Sequence, residues 1–277
     1  MAFSDAMTAA LHLIALGLYA LAAALLGVSL ARTDRRLPPV ATAVLAAAIL
    51  LHVAQLVAYV REYGELPLVG LGPSLSVLAL LIAVGSLALA TAGGAGPVGL
   101  VLVPVAAALA ATAEVAGVHP SAQVMAFRGP WFVLHVVLAF LGYAGFTVAF
   151  AAGLMYLLQF RELKSKRFGA VFRFFPPLDT LDRLGRGALL AGMAFLTLAL
   201  AVGWAWTERF GHPMAPGNPK VVWGALTWLV FAAALAARAG GRRPARRAAL
   251  ASVVGFAVVV VGYLVLRVGE GPGGGFL

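Results

Sequence analysis

The sequence predicts an all-α, polytopic membrane helix bundle with eight transmembrane helices and both termini on the outer, non-cytoplasmic side. Three observations carry this. Sixty-two per cent of the 277 residues are apolar and 11% are charged, against roughly a quarter charged in soluble domains. The apolar residues gather into eight runs, each near the ~20 residues a helix needs to cross the hydrocarbon while satisfying its own backbone. Fifteen of the 20 Lys and Arg residues fall in alternate connections between those runs.

The spans are expected near Ala6–Leu30, Pro39–Val60, Ser74–Ala92, Pro97–Gly117, Trp131–Phe160, Leu184–Thr207, Val221–Ala237 and Ala248–Arg267. The first has no basic region ahead of it and is followed by Arg32, Arg35 and Arg36, so it reads as a span and not a cleaved signal peptide. The connection after the fifth span holds Arg161 to Arg186, and within it Phe168 to Pro177 mixes aromatic and basic residues suited to the membrane interface. Pro176 and Pro177 end that stretch, and Asp179 and Asp182 open the helix into the sixth span, where carboxylates complement the helix dipole. The connection after the seventh span carries Arg238 to Arg247. Lys and Arg concentrate in cytoplasmic connections. The first, fifth and seventh connections are therefore read as cytoplasmic.

The same placement explains the net charge of +10 as topology and removes nucleic acid as a partner. Absence of cysteine excludes disulfides, thiolate catalysis and covalent haem attachment to this chain. Neither a Walker loop, a dinucleotide fingerprint, a zinc-protease motif nor a nucleophile elbow occurs, so no enzyme is expected. No linker or internal repeat divides the chain, which reads as one integral membrane domain over 1–277 and leaves a small transporter with little support.

Chemistry would reside in the histidines, because imidazole ligates iron and ionisable groups inside a membrane mark function. His135 lies ~6 Å below the outer end of its span, His12 ~9 Å and His52 ~16 Å, by the helical rise. His12 thus matches the depth of His135, and His52 is an awkward partner for it on one iron. His119 and His212 fall in outer connections. Trp204 and Trp206 suit an interfacial belt, whereas Trp228 is too deep for one. Trp223 and Trp228 are five residues apart and point about 140° from each other on a helix. Glu114 and Arg128 could pair or hold an anion.

Four segments in order resemble the CcsA-type cytochrome c assembly family, with a branch resemblance to its HemX and YpjD members. They are Leu51-His52-Val-Ala-Gln-Leu with Gly64-Glu-Leu-Pro67-Leu, the Trp131-Phe-Val-Leu-His135 helix start, Pro177-Leu-Asp179-Thr-Leu-Asp182-Arg-Leu through Gly203, and Asn218-Pro-Lys220-Val-Val-Trp223-Gly-Ala-Leu-Thr227-Trp228. The cytochrome c assembly-like core runs over about residues 51–231. The upstream part of the tryptophan signature is missing, Asn218 stands where the family has aspartate, and the tail Gly271–Gly275 carries no histidine.

The resemblance implies a multi-pass protein of a prokaryotic inner or plasma membrane that binds or handles haem on its extracytoplasmic face. Its cofactor-binding residues would be His135, His52, Trp223 and Trp228, with His135 on the haem iron and His12 or His119 as further candidates. Its partners would be the lipid bilayer and other cytochrome c assembly or haem-biosynthesis proteins. The alternative is a HemX-type membrane regulator or scaffold of tetrapyrrole biosynthesis that binds no haem itself and acts through the Arg161–Arg186 segment.

Overall fold

The computed structural model describes residues 2–34, 36–92, 94–120, 129–166, 169–209, 218–238 and 244–269. Nine α-helices occur among them: α1 (Ala2–Arg32), α2 (Leu37–Tyr63), α3 (Leu71–Thr91), α4 (Gly99–Ala116), α5 (Pro130–Ser165), α6 (Ala170–Phe174), α7 (Leu178–Arg209), α8 (Pro219–Ala236) and α9 (Pro244–Gly269). Prolines set several starts. Pro38 and Pro39 occupy the first turn of α2, and α5, α8 and α9 open on Pro130, Pro219 and Pro244. A proline there wastes no hydrogen bond, since its missing N–H would have no helical partner anyway. Gly64 ends α2 in the left-handed conformation (φ 67°), its N–H bonding the Val60 carbonyl.

Seven of these helices, α1 to α5, α7 and α9, are long and apolar enough to cross a membrane. The chain is therefore a multi-pass membrane protein, all-helical among the described residues. The remaining expected span is α8, apolar but only 18 residues long, or about 27 Å at the helical rise.

The described residues form two units. The first comprises Met1–Val124 and Leu158–Thr180. Here α1 and α2 form a helical hairpin closed by the Ser29 hydroxyl, which donates to the Asp34 carbonyl at 2.7 Å. The buried face of α1 is Thr8, His12, Ala15, Tyr19, Ala22, Leu26 and Ser29, and that of α2 is Ala41, Leu45, Ala48, His52, Gln55 and Tyr59. Both follow alternating steps of four and three, which keep one stripe facing a partner helix. Helix α4 packs on α1, and α3 on α4. The aromatic, basic connection contains α6, held because Glu162 Oε2 accepts from the Gly169 and Phe172 N–H groups at 3.1 and 2.9 Å.

The second unit comprises Met125–Leu157 and Leu181–Leu277. Small residues on one face of α5 let its neighbours approach closely. A Cβ on Gly145 would stand 2.9 Å from Gly192 Cα of α7, and one on Gly153 would stand 2.9 Å from the Ala249 carbonyl of α9. Beside that crossing the Phe146 and Phe231 rings stack at 3.6 Å.

The carboxylate of Asp182, expected only to serve the helix start, also accepts from Arg238 Nη1 at 2.7 Å, with side chains 31% and 15% exposed. Asp182→Asn strands a largely buried guanidinium. Discounted for partial solvation, the expected loss is about 1–3 kcal/mol, read as a lower melting temperature of the purified chain; an unchanged melt would show that the pair contributes nothing.

Candidate functional site

The sequence-predicted residues fall into two groups, one in each unit. In the second unit, His135 stands on the first turns of α5 and its Nδ1 lies 2.8 Å from the Ala199 carbonyl of α7. A carbonyl can only accept, so Nδ1 carries a proton, and in the neutral ring Nε2 is then the nitrogen with the lone pair. That is the tautomer a metal-ligating histidine needs, with its second nitrogen fixing the ring. The ring lies against α7 because position 203 is glycine: a Cβ there would stand 2.7 Å from His135 Nδ1 and 2.9 Å from its Cε1.

Helix α8 meets α7 at the same level, where a Cβ on Gly224 would stand 3.0 Å from Leu200. This brings Trp223 to the end of the unit that holds His135. The indole of Trp223 packs over Gly262, 3.1 Å from where a Cβ would stand there, and lies 6.2 Å from the Tyr263 ring. That of Trp228 turns the other way, donating from Nε1 to Thr197 Oγ1 at 2.9 Å. The two tryptophans thus face α9 and α7 respectively, as their five-residue separation requires. Trp204 is 71% exposed, and Trp206 lies 6.1 Å from Phe132.

In the first unit the structure joins two histidines that the sequence left apart. The rings of His12 and His52 meet edge-on at 5.6 Å. Both nitrogens of His52 are engaged, Nδ1 with the Tyr19 hydroxyl at 3.0 Å and Nε2 with the Ser76 hydroxyl at 2.8 Å. Ligation of iron by His52 would require one of these bonds to break. His12 Nε2–H donates to the Ala110 carbonyl at 3.0 Å, with Glu114 Oε2 at 3.8 Å. Its Nδ1 is buried and has no hydrogen-bond partner among the described residues. Glu114 therefore faces a histidine, while Arg128, considered as its partner, lies outside the described residues.

His119 is exposed in the connection after α4, its ring folded back on Gly117, with Nδ1 at 3.4 Å from the Pro120 carbonyl. His212 and the tail Gly271–Gly275 lie outside the described residues. Sequence reasoning gave no role to Gly203, Ala199, Tyr19 or Ser76. The only signal for any of them was the glycine closing the segment before the sixth connection.

Haem ligation can be tested on this geometry. His135 fits as an axial ligand through Nε2. Among the buried histidines only His12 has a nitrogen without a partner among the described residues.

Comparison with known proteins bears on the family and the fold. The profile of the Cytochrome C assembly protein family matches residues 9–272. The chain is similar to the cytochrome c biogenesis protein CcsA of Synechococcus elongatus, 28% identical over 275 residues that cover 82% of this chain and 84% of that protein. It is 30% identical over 152 residues to CcsA of Chlamydomonas reinhardtii, covering 54% of this chain and 42% of that one. In CcsA of Guillardia theta the match is 31% over 160 residues, 51% of this chain and 52% of that one. The chain thus spans about half the length of several curated relatives it matches.

Among solved structures, the cytochrome c haem lyase CcmF superposes with a TM-score of 0.66 at 18% identity, covering 95% of this chain and 49% of that one. At that identity the likeness is one of fold. A neighbour named as a lyase gives no support to the expectation that no enzyme is present. With nearly its whole length matched by one family profile, the chain belongs to the cytochrome c assembly protein family.

Proposed function

We propose that this chain handles haem for cytochrome c assembly on the extracytoplasmic side, with His135 as an axial ligand of haem carried as cargo. One observation supports this above the others: the His135 Nδ1–H is held by the Ala199 carbonyl at 2.8 Å over a glycine, which presents Nε2 as the basic nitrogen. The relatives named for cytochrome c biogenesis, and the neighbour named a haem lyase, favour the same reading.

In this reading α8 crosses the bilayer as the eighth span. The basic connections face the cytoplasm, and both termini and the His135 end of the second unit face outward. The membrane is a prokaryotic plasma membrane, and the partners are other cytochrome c assembly proteins. Trp223 supplies aromatic surface at the same end, while Trp228 lies deeper on α8 and is bonded to Thr197. Any enzyme-type activity would be the transfer of haem to an acceptor, since the porphyrin and iron supply the chemistry and the protein supplies ligation and orientation.

The regulatory alternative draws on α6, whose order rests on Glu162. A visible spectrum of purified protein separates the two readings. Haem handling predicts a Soret band, as isolated or after haem addition, that is lost in His135→Ala. Absence of any band, as isolated and after haem addition, would favour the regulator, and a band indifferent to His135→Ala would remove His135 as the ligand.

A further inference from the structure

Tyr143 stands in the second unit, eight residues along α5 from His135 and about 12 Å further down the helix. The haem reading gives it no task. Its ring packs, with those of Trp223 and Trp228, against the buried cluster that contains Phe146, Leu196, Phe231 and Val259. Its hydroxyl lies within hydrogen-bonding reach of two side chains of α8, Trp223 and Thr227. Those two are four residues apart, so they share one face of α8, one turn from each other.

What each group can do sets the direction of these contacts. An indole Nε1–H can only donate, so the Tyr143 oxygen accepts from Trp223. Thr227 Oγ1 is 0% exposed and has no partner in strict bonding geometry among the described residues. The Tyr143 hydroxyl proton beside it is the donor at hand, and a buried oxygen left unbonded is costly. Donation therefore runs from Trp223 to Tyr143 to Thr227. On its other edge Trp223 is seated on α9, its Cζ3 and Cη2 atoms 3.1 Å from the place of a Cβ on Gly262. Trp228 is tied elsewhere, through Nε1 to Thr197 Oγ1.

We infer that Tyr143 is a positioning residue for Trp223: its hydroxyl accepts the indole N–H and so fixes the aromatic face offered to a flat porphyrin at the His135 end. Aromatic rings stack on such a macrocycle in a restricted set of orientations. An indole held by α5 at Nε1 and by α9 at its benzo edge meets that need without rearranging. Tyr143 itself touches no porphyrin and acts through Trp223 alone. What Trp223 is presented to rests on the haem reading, whereas the Tyr143 bond does not.

The test is NMR of the indole N–H groups in the full chain, labelled with 15N-tryptophan, in phosphatidylcholine nanodiscs without haem, the Trp223 signal being assigned by its loss in Trp223→Phe. Tyr143→Phe keeps the packed ring and removes the hydroxyl. The Trp223 signal is expected to shift in this variant while that of Trp228 stays in place. A Soret titration with haem is then expected to show affinity weakened about 3- to 10-fold, the equilibrium worth of one neutral hydrogen bond. A Trp223 signal indifferent to Tyr143→Phe, or one that shifts only together with that of Trp228, would overturn the positioning role, and so would unchanged haem affinity. A shifted Trp223 signal in a chain that shows no Soret band even when unsubstituted would instead remove the haem reading and leave the bond standing. If Tyr143→Phe does not fold, magnetisation transfer between the Tyr143 ring and the Trp223 indole proton in the unsubstituted chain decides, and its absence would contradict the inference.

Discussion

Gly145→Leu is expected to lower the melting temperature of the purified chain by about 5–10 °C, or to prevent its accumulation. The helices α5 and α7 touch through backbone at this point: a Cβ on Gly145 would lie 2.9 Å from Gly192 Cα and 3.0 Å from the Ala188 carbonyl. Helix backbone cannot rotate aside as a side chain can, so the crossing must open along its length. Overpacking of this kind costs about 3 kcal/mol or more, and the stacked Phe146 and Phe231 rings would be separated with it. Gly187, on the same helix α7, has nothing within 4 Å of the place a methyl group would occupy. Gly187→Ala should melt with the unsubstituted chain. Equal melts for the two variants would show that the close crossing does not exist.

Gly203→Ala is expected to leave the fold intact and to weaken haem binding about 10- to 100-fold, the usual cost of disturbing the partner that orients a metal-bound histidine. The added methyl would occupy the place of the His135 imidazole edge, 2.7 Å from Nδ1. The ring must then leave α7, and with it the Ala199 carbonyl. Freed of that bond the imidazole can take either tautomer, and Nε2 is no longer fixed as the ligand. Haem titration followed at the Soret band measures the change, with Gly187→Ala as the control. Affinity equal to that of the control would show that the Ala199 bond has no part in ligation.

The spans were legible because membrane solvent writes itself into composition: long apolar runs such as 71–91 and 99–116 have no other stable use. Their ends were less so. Helix α1 begins four residues before the expected Ala6 and α2 ends three residues after Val60. With those bounds His12 and His52 both lie about 15–17 Å from the adjoining helix ends by the helical rise, which is why their rings meet. The depth comparison that set His12 beside His135 used the shorter span and missed this pairing.

The partner of His135 was illegible for a different reason. It is a backbone carbonyl 64 residues away, and a carbonyl has no sequence signature. What the sequence does carry is the space for the contact, the glycine at 203. Likewise the Asp182 contact with Arg238 bridges 56 residues, and a carboxylate at a helix start already has a sufficient local explanation in the helix dipole.

Ligation of haem iron by His135 through Nε2, with the ring oriented by Ala199 and Gly203, is tested most directly by the visible spectrum of purified His135→Gly with haem, taken with and without added imidazole. The Soret band of the unsubstituted chain is expected to be lost in this variant and to return when imidazole fills the site, while Gly203 and the rest of α7 are unchanged. A His135→Gly spectrum identical to that of the unsubstituted chain before imidazole is added would contradict it.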